Sequence, residues 1–480
     1  MSSQEMQKLS RRGFIKAGLS AIALSTLFGC APSSAPATSA PAATSASAEA
    51  ATTAPAESNA TAVPPASTAK GSVVVFECCW NEEHIKAGKE LYNKFRADHP
   101  DIQVQDFWPL STQDWMEQLL AKTAAAEQVD IIWWCASHWE FAMQGRLLDL
   151  KPFLDKDSSY SLDAYQKEGG DFCFDKPNRA GAMWGVPTNY ATNLLWYNTK
   201  MFEQAGVEPP NKDWTWTDML AAAQKFAKDD NGDGVNDTWG FGAYGMDGWY
   251  WQHLLKSYGG DYVVVDGDGC LLDKPESIEA LTFIQDMMYK QKVMPRPADT
   301  AAMGMTAMFS SGKIAMVEGP EWVRGEVKDA HEKEGFEYGV ALLPKGPKGL
   351  VTGYWPGITS ITSQAKSPDA AWVVAKWISG KDYQMAMTVN IPESPAALIE
   401  VSTYGFTKGI DYPEDRSAYL ESPKYGYLYY NNLRYGKEVY DIIEPGLDQC
   451  WQGAKKPEEV VGDITKAVND KIAELKGAAS

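Results

Sequence analysis

A run of Ala, Pro, Ser and Thr from Ala31 to Lys70 sets the first limit on how this chain can fold. It carries no aromatic residue and no periodic apolar face, so it cannot bury enough surface to offset its ordering entropy and is expected to remain a tether. Random-coil scaling gives such a segment a span of about 35 Å, and more where prolines stiffen it. Folding is thereby confined to Gly71–Ser480, which exceeds the roughly 250–300 residues that one hydrophobic core serves. Two lobes are expected.

Ahead of the tether, Ser10-Arg11-Arg12-Gly13-Phe14-Ile15-Lys16 forms a charged n-region, and Ala17–Gly29 follow as a short apolar stretch. This reads as a twin-arginine export signal over residues 1–29, too short to span a bilayer core of about 30 Å. Leu27-Phe28-Gly29-Cys30 resembles a bacterial lipobox, with Phe28 bulkier than the small residue usual there. Cys30 is the expected lipidation site, residues 30–70 the lipidated cysteine and its tether, and the location extracytoplasmic, held at the cell membrane. The alternative is a cleaved signal with Cys30 incidental.

The formal charge is −19, although the leader carries Lys8, Arg11, Arg12 and Lys16 against Glu5 alone, so the remainder is more acidic still. An acidic body disfavours nucleic acid, anionic lipid and phosphate-rich ligands, and suits a neutral or cationic one. The cysteines after Cys30 (Cys78, Cys79, Cys135, Cys173, Cys270 and Cys450) form no Cys-x-x-Cys, and the five histidines are scattered. No zinc site is expected, and no disulfide pairing can be read from the spacing.

Gly71–Phe76 is a β-branched run, Ile85–His99 carries apolar residues at helical spacing up to Pro100, and Ile102–Phe107 alternates as a second strand. Asp114–Ala126 predicts a helix. Val129–Trp134 predicts a buried strand of the near-continuous apolar kind found in parallel sheets. This alternation argues for an α/β lobe whose ligands gather beyond the strand carboxyl ends. Ala191–Asn198 predicts a long strand after Gly185-Val186-Pro187, and helices are expected at Pro368–Ile378 and Pro457–Lys476. Three lobe crossings are expected, near Pro187, over Ser310–Pro320 and near Gly357–Thr362. Lobe 1 is then 71–189 plus 314–360, and lobe 2 is 190–313 plus 361–480.

The pieces, in order, resemble the family 1 extracellular solute-binding proteins of ABC importers, the group that includes maltose-binding protein. The resemblance rests on Phe95-x4-Pro100-x-Ile102-x-Val104, on Asp130-Ile131-Ile132 continuing to Gly145-Arg146-Leu147-Leu148-Asp149-Leu150, and on Gly185-Val186-Pro187 before Trp196-Tyr197-Asn198-Thr199-Lys200-Met201-Phe202. It continues through Trp214-Thr215-Trp216-Thr217-Asp218, Phe309-x2-Gly312-Lys313-x-Ala315-Met316 and Gly319-Pro320-x-Trp322. It implies a two-lobed periplasmic-binding-protein-like fold of type II with the ligand in a cleft between discontinuous lobes. It also implies a monomer that hands its ligand to a membrane permease.

Eighteen tryptophans make carbohydrate the favoured ligand class, because aromatic rings cover the apolar faces of a sugar while carboxylates and amides fix its hydroxyls. Placement at loops and crossings selects Trp80, Asn81, Glu82, Trp108, Ser137, His138, Trp139, Asn189, Tyr190, Trp249, Trp251, Glu318, Trp322, Tyr354 and Trp355 as ligand-binding candidates. Gly353 and Gly357 flank the last two and permit close approach. Trp133, Trp372 and Trp377 fall inside regular elements and read as core. The Tyr425–Tyr435 cluster reads equally as cleft rim, partner surface or core.

Asp229, Asn231, Asp233, Val235 and Asp237 occupy oxygen-donor positions of an EF-hand-like loop, but Gly240 stands where a bidentate glutamate belongs. A structural calcium ion and a solvated Asx-rich turn are the two readings. No cofactor is required. A tethered glycoside hydrolase using Glu318 and Glu321 is the enzyme alternative, weakened by the absence of nucleophile-elbow, zincin and P-loop motifs. Other binder ligands are a polyol, a glycerol phosphodiester or a polyamine.

Overall fold

A computed structural model describes residues 69–78, 81–109, 112–134, 138–176, 178–245, 251–264, 269–391, 394–429 and 435–478. Cys30 and the whole leader lie outside these residues. The strands are β1 (Gly71–Phe76), β2 (Ile102–Phe107), β3 (Ile131–Trp133), β4 (Phe174–Lys176), β5 (Ala180–Met183), β6 (Val186–Asn198), β7 (Trp239–Ala243), β8 (Val263–Val264), β9 (Gly269–Cys270), β10 (Ile314–Pro320), β11 (Tyr338–Ala341), β12 (Thr352–Ile361) and β13 (Gly426–Leu428).

The opening folds as β-α-β. Val73–Phe76 are buried on both faces, and β1 pairs in parallel with β2 and β3. The helix Glu82–Asp98 starts where the Asn81 side chain accepts the His84 N–H and buries His84, Gly88, Tyr92 and Phe95 at helical spacing. Strand order continues β2-β1-β3-β12-β6-β10-β7, with β11 on β6 and β13 on β12. β12 runs antiparallel to β3 and β6, and β10 antiparallel to β6.

The thirteen residues of β6 join two halves. Val186–Thr192 pair with β12, Asn193–Tyr197 pair with β10, and Leu195–Asn198 pair with β11. One core gathers Val73–Val186 with Ile358–Val401, whereas two adjoining cores gather residues from Leu194 to Leu343 with Phe406 to Ile472. The chain therefore passes between halves on β6, on β12 and between Val401 and Phe406.

This corrects the expected grouping. β10 lies wholly in the second half, since Ile314–Val317 pack with Leu194–Trp196. The helix Pro368–Ile378 packs in the first half through Ala370, Ala371, Trp372, Val374 and Ala375. A glycine-bounded buried strand reads the same whether it crosses between halves or stays in one sheet, because hydrophobic pattern does not name its partner. Among the described residues, no helix is long and apolar enough to cross a membrane.

Candidate functional site

β6 and β12 meet with Tyr354 opposite Thr192, Trp355 opposite Ala191 and Gly357 opposite Asn189. Successive side chains on a strand alternate faces, so Asn189, Ala191 and Asn193 share one face with Gly353, Trp355 and Gly357. Trp355 is half-buried there. A Cβ on Gly357 would sit 1.7 Å from Asn189 Oδ1, and one on Gly353 would sit 1.9 Å from the Tyr429 ring. Both positions need glycine so that Asn189 and Tyr429 can lie against the strand on either side of Trp355.

Asn189 Nδ2 donates to Ser394 Oγ at 3.0 Å, fixing its carboxamide. Asn193 Nδ2 donates to Glu318 Oε1, and the backbone N–H of Asn193 donates to Thr352 Oγ1 at 3.0 Å. Glu318 is fully buried, as is His253, whose Nδ1 lies 4.0 Å from Glu318 Oε1. Burial lowers the His253 pKa to about 3, so the ring is neutral and forms no ion pair. Glu318 therefore orients Asn193 and does not itself reach solvent.

The opposite face is closed. Tyr190 and Tyr354 stack with centroids 5.3 Å apart, both wholly buried, and a Cβ on Gly169 would lie 3.1 Å from the Tyr354 hydroxyl. Helix Lys167–Phe172 thus covers them. Tyr354 was expected on the ligand side. The period of two places Trp355 there and sends Tyr354 inward.

A cavity of about 260 Å³ lies where the halves face each other, lined by Asn81, Glu83, Trp322, Gly325, Glu326, Lys328 and Ile391. Trp322 is half-buried, edge-on to Tyr244 at 6.2 Å, and the Tyr244 hydroxyl donates to Glu326. Lys328 Nζ stands 3.9 Å from Glu83 Oε2, an exposed pair linking the two sides. Asn81 caps its helix, and Glu82 is exposed in the first turn.

The remaining candidates separate. Trp108 lies over Gly88, is edge-on to Tyr92 at 5.9 Å, and donates Nε1–H to Asp106 at 2.5 Å. His138 is fully buried between Trp139 and Phe172, and burial lowers its pKa to about 3. Trp139 is half-buried against the first core. Trp251 stacks on Tyr262 at 4.2 Å and abuts Trp451 at 5.6 Å, so it is second-half core and not a platform. Trp133 and Trp372 are buried and Trp377 is partly buried against the first core. Trp80, Ser137 and Trp249 lie outside the described residues. So does 430–434 of the tyrosine cluster, whose Tyr425 is exposed and Tyr429 buried.

In the Asp229–Asp237 loop, Asp229 accepts the N–H groups of Gly232 and Gly234, Asn231 that of Asp233, and Asp233 that of Val235. Asp237 accepts from Asp230 and Asn231. Among the described residues no three His, Cys, Asp or Glu side chains converge as a metal cluster. Cys78 is disulfide-bonded, while Cys173, Cys270 and Cys450 are free and buried.

A larger cavity, about 620 Å³, is lined by residues including Tyr165, Lys167, Arg179, Ile399 and Lys424. It adjoins the helix that covers Tyr354, behind the joining strands. Its cations are engaged: Lys167 with Asp171 at 2.5 Å, Arg179 with Asp171 at 2.9 Å and Lys424 with Glu421 at 2.6 Å. The Trp355 face and the Trp322 cavity bring half-buried rings beside fixed polar groups, and are the better site. Reasoning from sequence missed Asn193, Glu83, Glu326 and Lys328. Asn193 was findable, four residues from Asn189 on the same strand face; the others carry no pattern of their own.

Two α/β halves joined by shared strands, with aromatic and amide groups at the junction, define a two-lobed ligand-binding fold. The chain belongs to the bacterial extracellular solute-binding proteins, whose family model matches residues 81–385. A Brucella abortus protein described only as a binding protein is 24% identical over 289 residues, covering 59% of this chain and 66% of its own length. The maltotriose-binding protein of Pyrococcus abyssi is 26% identical over 383 residues, covering 75% of this chain and 76% of its own. The sn-glycerol-3-phosphate-binding periplasmic protein UgpB of Shigella flexneri is 22% identical over 425 residues, covering 81% and 91%. In structure, a Listeria monocytogenes ABC substrate-binding protein in complex with cycloalternan matches at a TM-score of 0.71 and 22% identity, over 84% of this chain and 99% of its own. The maltose/maltodextrin-binding domain of Bdellovibrio bacteriovorus bound to maltotriose matches at 0.65 and 15%, over 84% and 100%.

Proposed function

We propose that this chain captures a carbohydrate between its two halves and delivers it to the permease of an ABC importer. The observation that carries this reading is Trp355, a half-buried ring flanked by two glycines, with the buried, hydrogen-bonded carboxamides of Asn189 and Asn193 on the same face. An indole takes the CH face of a pyranose, and carboxamides both donate to and accept from hydroxyls. Trp322 supplies a second ring with Glu83 and Glu326 beside it. The maltotriose-binding relative supports the ligand class.

A glycerol phosphate ester is the second reading, suggested by the UgpB relative, whose name gives sn-glycerol 3-phosphate. Against it, the cavity has one cation, Lys328, which already faces Glu83, and two acids. A phosphate calls for Arg or Lys donors in excess.

The chain acts as a binder and not a hydrolase. Glu318 bonds Asn193 and Glu321 bonds Thr192, and these neighbours on β6 point to opposite faces, so the two carboxylates do not flank one substrate. In the same reading Cys30 carries lipid and the Ala31–Lys70 tether holds a monomer beside the membrane.

The test is a thermal-shift titration of the full chain with maltotriose, cyclic glucans and sn-glycerol 3-phosphate. A saturable rise in melting temperature with a glucan supports the reading, because a ligand of the folded state alone stabilises it. A rise with the phosphate and none with any sugar overturns it.

A further inference from the structure

The place where β6 passes from one half to the other is gripped by a buried carboxyl. Thr192 is the last β6 residue paired with β12, and Asn193 the first paired with β10, opposite Pro320. Glu321 follows Pro320 in the chain. Its Oε2 accepts the Thr192 N–H at 2.6 Å and its Oε1 accepts the Thr192 hydroxyl at 2.5 Å. That hydroxyl also lies 2.6 Å from Ser422 Oγ, in the turn that leads into β13.

One side chain thus ties the shared strand to the end of β10 and, through Thr192, to the segment that returns to β12. We propose that Glu321 is a hinge pin, and that the charge on its carboxyl sets how readily the two halves move apart.

The surroundings give this pin a pH response. Glu321 is 1% exposed, and burial raises its pKa from 4.5 to about 8 against the opposing effect of the Thr192 hydrogen bonds. The titratable groups facing it are Tyr190 on β6, Tyr354 on β12 and Tyr419 on the helix Ser417–Glu421. Burial raises all three phenols well above their usual 10, so they stay neutral. The nearest guanidinium on its own side is Arg324, one turn along, and Arg416 faces Tyr419. The Arg324 backbone N–H donates to the Glu321 carbonyl at 3.0 Å. Up to about pH 8 the closed junction holds the carboxyl neutral, whereas a carboxyl opened to water ionises from about its ordinary 4.5, so opening becomes easier as pH rises between those values and levels off above about 8.

The inference rests on the two-half clamp but not on the nature of the ligand. It is tested by hydrogen exchange on the full chain without ligand, from about pH 6.5 to 9, corrected for the intrinsic pH dependence of exchange. Peptides spanning Val186–Asn198 should lose protection by up to about tenfold per unit as pH rises to about 8 and level off above it, while peptides of Val461–Ala478 do not. Glu321→Gln should flatten that response. Unchanged pH dependence in the variant, or none at Val186–Asn198 in the parent, overturns the proposal. The parent protein's profile decides even if the variant fails to fold, and a negative result leaves the carbohydrate reading intact.

Discussion

Among single residues, Trp355 carries the sharpest prediction. Its ring is half-buried and stands between two glycines. Trp355→Ala should weaken binding of the responding sugar about 10- to 200-fold, the effect of losing about 1.5–3 kcal/mol of ring contact, with a small loss of melting temperature. Calorimetric titration measures both, and equal affinity in the variant would remove Trp355 from the site. Glu321 predicts a pH effect on stability with a definite sign. Its folded-state pKa, about 8, lies above its ordinary 4.5, so between those values the folded chain holds a proton that the unfolded chain has released. The contribution of this group to stability is therefore fully present below about pH 4.5, falls as pH rises towards 8, and is constant above. The slope is at most about 1.4 kcal/mol per pH unit. Urea denaturation across that range should show Glu321→Gln losing less stability with rising pH than the parent; parallel curves would refute it. The tryptophans also show what a sequence conceals. Trp251 and Trp355 both follow glycine-containing segments, but Trp355 is turned to the open face by the strand period of β12, whereas Trp251, at the start of helix Gln252–Tyr258, is buried by long-range packing on Tyr262 and Trp451.

At the level of elements, the local signals were sound where they were periodic or capped. Helix Pro368–Ile378 forms where its apolar spacing and N-terminal proline placed it, and β1 and β2 match their β-branched runs. β6 is longer than its expected Ala191 start, because Pro187 is tolerated: its missing N–H costs no ladder bond there, and its carbonyl accepts Ser379 Oγ at 2.6 Å. Which strands pair across the junction was not legible, since partner choice depends on long-range packing. β12 gives the prediction at this scale. Gly357→Ala puts a methyl into the Asn189 carboxamide, so the strand or the side chain must shift. Destabilisation of about 1–3 kcal/mol is expected from overpacking, together with weakened sugar binding because Asn189 leaves Ser394. Denaturation and titration of the same variant check it, and a variant that keeps both values would show that the glycine is dispensable.

The described residues form two halves joined by three chain segments, so function depends on how little energy separates their arrangements. The exposed Glu83 and Lys328 form the ion pair described at the cavity joining the halves, and such pairs contribute about 0–1 kcal/mol. A contribution of that size cannot hold the cleft shut, but it biases the balance, since a ligand that contacts both halves needs only a few kcal/mol of differential affinity to shift it. Lys328→Ala should therefore change sugar affinity less than about fivefold, far less than Trp355→Ala. It should also remove most of the salt dependence, because screening acts on the exposed pair and not on the ring contact. Titrations of parent and variant at low and high ionic strength separate the two contributions. If affinity falls with salt equally in both, the pair has no part in closing the halves, and the bias must come from buried groups at the junction that bond the shared strand, Glu321 through Thr192 and Glu318 through Asn193.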